Sequence, residues 1–184
     1  MRESPGGHLM VANPDVRVTP HAIDNAIRRL ESQPDIGLVL PRLRYPDGRV
    51  QPSVRRFYTW PVVVYARSPL RALGWRPGFF RRYLCEELTQ LPADAGPVDV
   101  DWGLGGAMFL RREECEGASI FDEQFFLYFE DVDLCLRTWQ RGRRVGYAPG
   151  IEFIHAHRRS SGNPFTAAGW HHFRSMSRFI LKHG

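Results

Sequence analysis

The chain has 184 residues, with 25 lysines and arginines against 20 carboxylates for a formal net charge of +5, and 43% of it is hydrophobic. That length and apolar content suit one folded domain with a real core and exclude a disordered tail. The longest apolar run, WPVVVYA at 60–66, falls short of the roughly eighteen residues a membrane span needs, and the opening MRESPGGHLM lacks the apolar centre of a signal peptide.

Three scattered cysteines, Cys85, Cys115 and Cys135, have no CxxC spacing and read as reduced thiols of a cytosolic protein. Arginines occur in pairs at 55–56, 81–82, 143–144 and 158–159. Guanidinium groups bind phosphate bidentately, so the composition points to a polyanionic partner: a nucleotide diphosphate, a phospholipid surface or a nucleic acid.

In chain order, residues 1–8 read as disordered, and LMVANPDVRV at 9–18 as an apolar strand interrupted by Asn13-Pro14-Asp15. That interruption is either an ordinary Asn-Pro turn or a carboxylate set at a sheet edge, within reach of a cation. Thr19-Pro20 reads as an N-cap followed by proline at the first helical position. The helix HAIDNAIRRLES at 21–32 then places Ile23, Ala26, Ile27 and Leu30 at helical spacing. IGLVLPRL at 36–43 has the continuous apolar run of a buried strand, and Tyr45-Pro46-Asp47-Gly48 is a tight turn into VQPSVR. Residues 57–97 are broken by five prolines, with helices expected near 61–73 and 79–90. Their arginines and large aromatics fit a membrane-surface or acceptor-binding flap as well as a packed insertion.

VDVDWGLGGAMFLRRE at 98–113 reads as an alternating strand, a glycine-rich bend at Gly103, Gly105 and Gly106, and a second apolar strand. Glycines there allow close backbone approach to a ligand, but the pattern is not a nucleotide-binding fingerprint. FDEQFFLYFEDVDLC at 121–135 follows, with Asp122, Glu123, Glu130, Asp131 and Asp133 set among five aromatics. Aromatics bury apolar area and carry neighbouring carboxylates toward a partly dry site, where their pKa values shift. The plainer alternative is the acidic first turn of a helix, favoured by the macrodipole. That helix ends at Gly142 in the C′ position. RVGYAP and IEFIH at 151–155 read as two strands, and the chain closes with a basic amphipathic helix carrying Trp170, Phe173, Met176 and Ile180 on one side.

These segments carry a resemblance. ANPDVRV at 12–18, PRLRYPDGRVQPSVRRF at 41–57, VDWGLGGAMFLRR at 100–112, FDEQFFLYFEDVDLCLRTWQRGRRVGYAP at 121–149 and IHAHRRSS at 154–161 follow one another in the order found in family 2 glycosyltransferases of the rhamnosyltransferase type. The chain resembles the C-terminal two-thirds of such an enzyme, as a single domain with 57–97 as a variable helical insertion. The nucleotide-binding strand–helix–strand unit with which family members begin has no counterpart in it. The resemblance implies a partial GT-A fold: α/β, with a mixed, mostly parallel sheet flanked by helices and the site at the strands' carboxyl ends. The glycine bend is expected beside the helix that starts near Glu130.

It also implies roles. Asp15 matches the family's metal-holding carboxylate and His155 its C-terminal metal-side histidine, together holding Mg²⁺ or Mn²⁺ against the donor diphosphate; His157 is the substitute. Asp131 matches the catalytic base of an inverting transfer, with Glu130 as the alternative base or the residue that orients it. Trp102 and Gly105 shape the sugar and acceptor pocket, Asp101 contacts a donor hydroxyl, and Arg158 and Arg159 meet the diphosphate. The implied partners are a nucleotide diphosphate sugar (dTDP-rhamnose or a UDP-sugar) and a glycan or polyprenyl-linked acceptor of polysaccharide or cell-wall synthesis. A peripheral membrane contact at the inner face of the membrane and self-association through an open sheet edge are also implied, and nucleic acid is not. Two other classes compete: a metal-dependent phosphohydrolase, although HAHRR lacks the final acid of an HxHxD motif, and a non-catalytic basic binding module, which leaves the acids without a purpose.

Overall fold

The computed structural model describes residues 6–115, 119–125, 128–156 and 167–183. In chain order the elements are β1 (His8–Ala12), β2 (Val16–Val18), α1 (Ala22–Ser32), β3 (Ile36–Arg44), β4 (Val54–Arg55), α2 (Trp60–Arg67), α3 (Gly78–Tyr83), β5 (Val98–Asp99), β6 (Trp102–Gly103), β7 (Ala107–Arg111), α4 (Glu130–Gln140), β8 (Arg144–His155) and α5 (Ala167–His183). Single 3₁₀ turns extend α2 and α3 at Pro69–Leu73 and Glu86–Gln90.

The apolar run at 36–43 forms the centre of the sheet, because a strand covered on both faces has no polar side to show. The path runs β1-β7-β3-β8-β2, with β5 added on β8, and β4 pairs β6 in a separate two-stranded ribbon. Alternation along the strands divides the core into two layers. Leu38, Leu40, Met108, Leu110, Val145 and Tyr147 face α4, joined by Met176 and Phe179 of α5. Val39, Leu43, Phe109 and Phe153 face Ala22, Ala26 and Leu30 of α1.

Several expectations need correcting. The sheet is mixed but not mostly parallel among the described residues: β3 and β8 run parallel, whereas β1–β7, β2–β8, β3–β7 and β5–β8 are antiparallel. A parallel pair needs a long crossover, and here residues 45–143 supply the one between β3 and β8. The two strands expected from RVGYAP and IEFIH are one, β8, whose register against β3 shifts between Pro41 and Arg42. Proline at 149 brings no N–H to a ladder, which suits it to that irregularity. The single alternating strand expected from 98 splits into β5 and β6, which join different sheets.

The helical start also moves. α1 begins at Ala22 behind His21 in the left-handed region, without a side-chain cap. The Thr19 hydroxyl instead donates to the Glu152 carbonyl at 2.6 Å, tying the entry of α1 to β8. Ile23 is exposed, and Ala22 takes its place on the buried face. On α5, Trp170 and Ile180 face outward while Met176 and Phe179 pack inward; the Phe173 side chain lies outside the described residues. At the N-terminus, β1 starts at His8, opposite Arg111, so ordered structure takes in the end of the segment read as disordered.

Candidate active site

The turn Asn13-Pro14-Asp15 crosses one end of the sheet from β7 to β8. The Asn13 N–H donates to the Gly106 carbonyl at 2.9 Å, and the Ala156 N–H to the Asp15 carbonyl at 3.2 Å. His155, the last residue of β8, pairs with Val16 at the start of β2. This register brings Asp15 and His155 together, with Nε2 of the buried imidazole 3.3 Å from Asp15 Oδ1. The other ring nitrogen, Nδ1, lies 3.0 Å from Gln51 Oε1. An amide oxygen only accepts, so Nδ1 is the donor of that contact and Nε2 is the nitrogen that faces the carboxylate. A proton on Nε2 or a cation between the two groups would satisfy both.

The glycine bend has a different use from the expected one. A methyl group on Gly103 would lie 2.6 Å from Leu40 Cδ1, and one on Gly106 would lie 2.8 Å from Leu43 Cδ1 and 3.1 Å from the His155 ring. These positions need glycine because the protein's own side chains fill the space. Gly105 is open by comparison, and its N–H donates to Asp131 Oδ2 at 3.1 Å. Consecutive residues of one bend thus touch Asp131 and His155. The bend does lie beside the start of α4, as expected.

Asp131 sits in the first turn of α4, buried, with Oδ1 accepting the Val132 N–H at 2.8 Å. Burial, then the neighbouring Glu130 carboxylate, pushes its pKa up to about 7 against the opposing hydrogen bonds. Burial also raises Glu130, whose Oε2 is buried and meets no hydrogen-bond partner among the described residues. The chain reaches this helix through Tyr128 and Phe129, both left-handed at φ 63° and 69° without being glycine. Two such residues in succession cost about 1–3 kcal/mol each, a strain that persists where surrounding structure enforces it. The aromatic cluster holds them: Phe129 stacks on Tyr58 at 5.6 Å and packs against His172 of α5 at 5.3 Å.

The five acids of this stretch divide by direction. Asp131 borders a cavity of about 220 Å³ also lined by Gln51, Arg55, Tyr58, Trp102, Phe129 and His172. Asp133 points away from it, fully buried under α5, accepting from Arg137 at 2.8 Å and from Lys182 and His183 at 2.7 Å each. Asp122 accepts from Lys182 at 2.8 Å. Burial raises the Asp133 pKa, but the hydrogen bonds from Lys182, His183 and Arg137 outweigh it and hold the group below its usual range.

Trp102 is buried at the cavity wall, stacked on Tyr58 at 5.7 Å with its indole N–H on the Arg56 carbonyl at 2.9 Å. Asp101 is occupied locally, taking the Phe57 N–H at 2.6 Å and Arg56 at 3.2 Å. It thereby fixes the segment that carries Tyr58. His157, Arg158 and Arg159 lie outside the described residues. Sequence reasoning did not single out Gln51 or His172, and it took in Arg55 only as one of the arginine pairs and Tyr58 only among the aromatics of 57–97. Gln51 was the most findable: a carboxamide just past a tight turn, inside the segment QPSVRRF, that is buried to 3% exposure. A second recess, of about 710 Å³, lies away from these residues between α1 and the 93–95 loop. It has neither histidine nor aromatic lining, so the smaller cavity is the candidate site.

No protein-family model matches the chain. It is 32% identical over 166 residues to proteins named N-acetylglucosaminyl-diphospho-decaprenol L-rhamnosyltransferase in two strains of Mycobacterium tuberculosis, a match covering 89% of this chain and 52% of theirs. It is also 32% identical over 96 residues to the rhamnosyltransferase WbbL of Escherichia coli, covering 51% of this chain and 36% of that protein. The chain spans about half the length of the mycobacterial relatives it matches.

Proposed function

We propose that this chain, which belongs with the rhamnosyltransferase-like glycosyltransferases, forms the acceptor and catalytic side of an inverting family 2, GT-A site that moves a sugar, rhamnose by the names of its relatives, onto a prenyl-diphosphate-linked acceptor in cell-wall or polysaccharide synthesis. One observation carries the reading: Gly105 and Gly106, adjacent in one bend, touch a carboxylate with pKa near 7 and an imidazole that faces a second carboxylate.

The chemistry follows from those groups. Ionised Asp131 takes the proton of the acceptor hydroxyl while that oxygen bonds to the anomeric carbon and the bond from that carbon to the nucleotide diphosphate breaks. A base poised near neutrality combines a populated carboxylate with a useful proton affinity. The Gly105 and Val132 N–H groups fix both carboxylate oxygens, so the base is oriented before the acceptor arrives. Glu130 keeps the Asp131 pKa up rather than taking the proton itself. The cavity, at about 220 Å³, is smaller than the roughly 300 Å³ at which whole-ligand pockets begin, and suits a single sugar ring beside Trp102, Tyr58 and Phe129.

Asp15 and His155 fit a divalent cation, Mg²⁺ or Mn²⁺, as a hard oxygen ligand beside an imidazole held by a hydrogen bond to its far nitrogen. Such an ion would neutralise charge on the departing diphosphate. No group of three or more histidine, cysteine or carboxylate ligands occurs among the described residues, so diphosphate and water oxygens would complete the shell. Arg158 and Arg159 are the proposed diphosphate partners, with dTDP-rhamnose or a UDP-sugar as donor.

Two measurements test this reading. In a manganese titration followed by water-proton relaxation, His155→Ala should bind at least about tenfold more weakly than the wild type, the scale on which metal-site losses fall; equal affinity would remove His155 from the site. Incubation with sugar nucleotides and a prenyl-diphosphate acceptor separates the chemistries. Sugar transfer supports the proposal, phosphate release assigns a phosphohydrolase, and binding without turnover assigns a non-catalytic module.

A further inference from the structure

We infer that residues 60–82 form a docking face for an anionic lipid bilayer, lying in the membrane interface beside the cavity at Asp131. This rests on the reading above only for its purpose, since a prenyl-linked acceptor would be met in the membrane plane.

The charge distribution is the first support. Residues 48–85 contain eight arginines and no carboxylate, while the other residues carry 17 basic against 20 acidic side chains. All of the chain's net positive charge therefore lies in this one segment. Within it Arg71, Arg76, Arg81 and Arg82 are exposed. Glu86, just beyond the segment, accepts from Arg76 at 2.7 Å and Arg81 at 3.3 Å. One acid shared by two arginines leaves a surplus of positive charge.

The apolar surface is the second. Of the large hydrophobic side chains exposed among the described residues, Trp60, Val64, Leu70, Leu73, Trp75 and Phe79 all fall within twenty positions. α2, WPVVVYAR, has no polar side before its final arginine. It buries Val62 and Tyr65 against Phe80 in a small core of its own, which leaves Trp60 and Val64 facing outward. A helix apolar on both sides calls for a second apolar surrounding. Tryptophans with arginines around short apolar helices match the chemistry of a bilayer interface, where indole rings sit at headgroup level and guanidinium groups meet lipid phosphates. No helix among the described residues is long and apolar enough to cross a membrane, so this face would lie on the bilayer.

Position is the third. Tyr58 lines the cavity and packs on Tyr83 at 5.5 Å, and Tyr83 packs on Phe80 of the small core at 5.7 Å. The exposed face is thus joined by three rings to the wall of the site.

Vesicle co-sedimentation tests the inference with no substrate present, so it can fail while the Asp131 and His155 results stand, and the reverse. Phosphatidylcholine vesicles and equal mixtures of phosphatidylcholine with phosphatidylglycerol serve as probes at low and high salt. The wild type should partition onto the anionic vesicles and about tenfold less onto the neutral ones. The double variant Trp60→Ser/Leu73→Ser, altered at positions 80% and 77% exposed, should lose about tenfold or more on anionic vesicles with an unchanged circular dichroism melt. Arg71→Glu/Arg82→Glu should lose a similar factor and the salt dependence with it. Equal partitioning of wild type and either variant would overturn the proposal. So would a wild type that stays off anionic vesicles, or one that is a dimer where the Trp60/Leu73 variant is a monomer, since the face would then belong to a second copy.

Discussion

On the proposed reading, Asp131→Asn is expected to slow sugar transfer by about 10²–10⁴-fold, the range that a positioned general base contributes, while the protein remains folded. A second, activity-independent effect should accompany it. Folded Asp131 holds its proton up to about pH 7, against an ordinary value of 3.8. A group whose pKa is raised by folding stabilises fully below its unfolded value, and loses that contribution as pH rises through the folded one. The wild type should therefore lose about 2–3 kcal/mol between pH 5 and pH 8 that the non-titrating variant does not lose. The amide also gives up one of the two N–H bonds held by the carboxylate, so its absolute stability is a poorer guide than the trend. Urea unfolding at both pH values checks it: the gap should move in the variant's favour as pH rises, and a constant gap would place Asp131 in an ordinary environment.

The second large effect should come from Asp133, which does not face the cavity at all. Removing it in Asp133→Ala leaves Arg137, Lys182 and His183 gathered around an empty buried position. Breaking a buried pair costs about 3–5 kcal/mol. Lys182 is 33% exposed and keeps Asp122, so partial resolvation brings the expectation to about 3 kcal/mol. For a chain of this size that is on the order of 10 °C in Tm. Hydrogen exchange should also rise along α5, because Lys182 and His183 pin its last turn to α4. Asp122→Ala, which removes only the more exposed member, should cost under about 1 kcal/mol. Equal losses from the two variants would contradict this division of the acids.

What the sequence disclosed follows the range of the interactions. β3 was legible because a nine-residue strand buried on both sides writes a continuous apolar run, and the end of α4 because Gly142 adopts φ +74°. The nearness of Gly105 to Asp131 was expected from resemblance and is present as a hydrogen bond. Sheet direction was not legible, since β1 and β2 flank a three-residue turn yet join β7 and β8, a choice made by the whole sheet. Nor could a run of five acids show that Asp133 turns toward α5 while Asp131 turns inward. Asp131 and Asp133 are two positions apart on α4, about 200° around the helix, so they take opposite faces, and the packing of Lys182 and His183 decides which face meets α5. The left-handed Tyr128 and Phe129 gave no glycine signal, because tertiary packing enforces that backbone. Gln51 and His172 reach the site through contacts made across the fold, which no local pattern encodes.

Asp131 is proposed as a base poised at neutral pH, joined through the Gly105–Gly106 bend to the Asp15–His155 pair. Carbon-13 NMR of the protein labelled at aspartate carboxyls reads it directly, with Asp131→Asn identifying the resonance. This carboxyl should titrate with a midpoint near pH 7, apart from the other aspartates; a midpoint near pH 4 would remove Asp131 from that role.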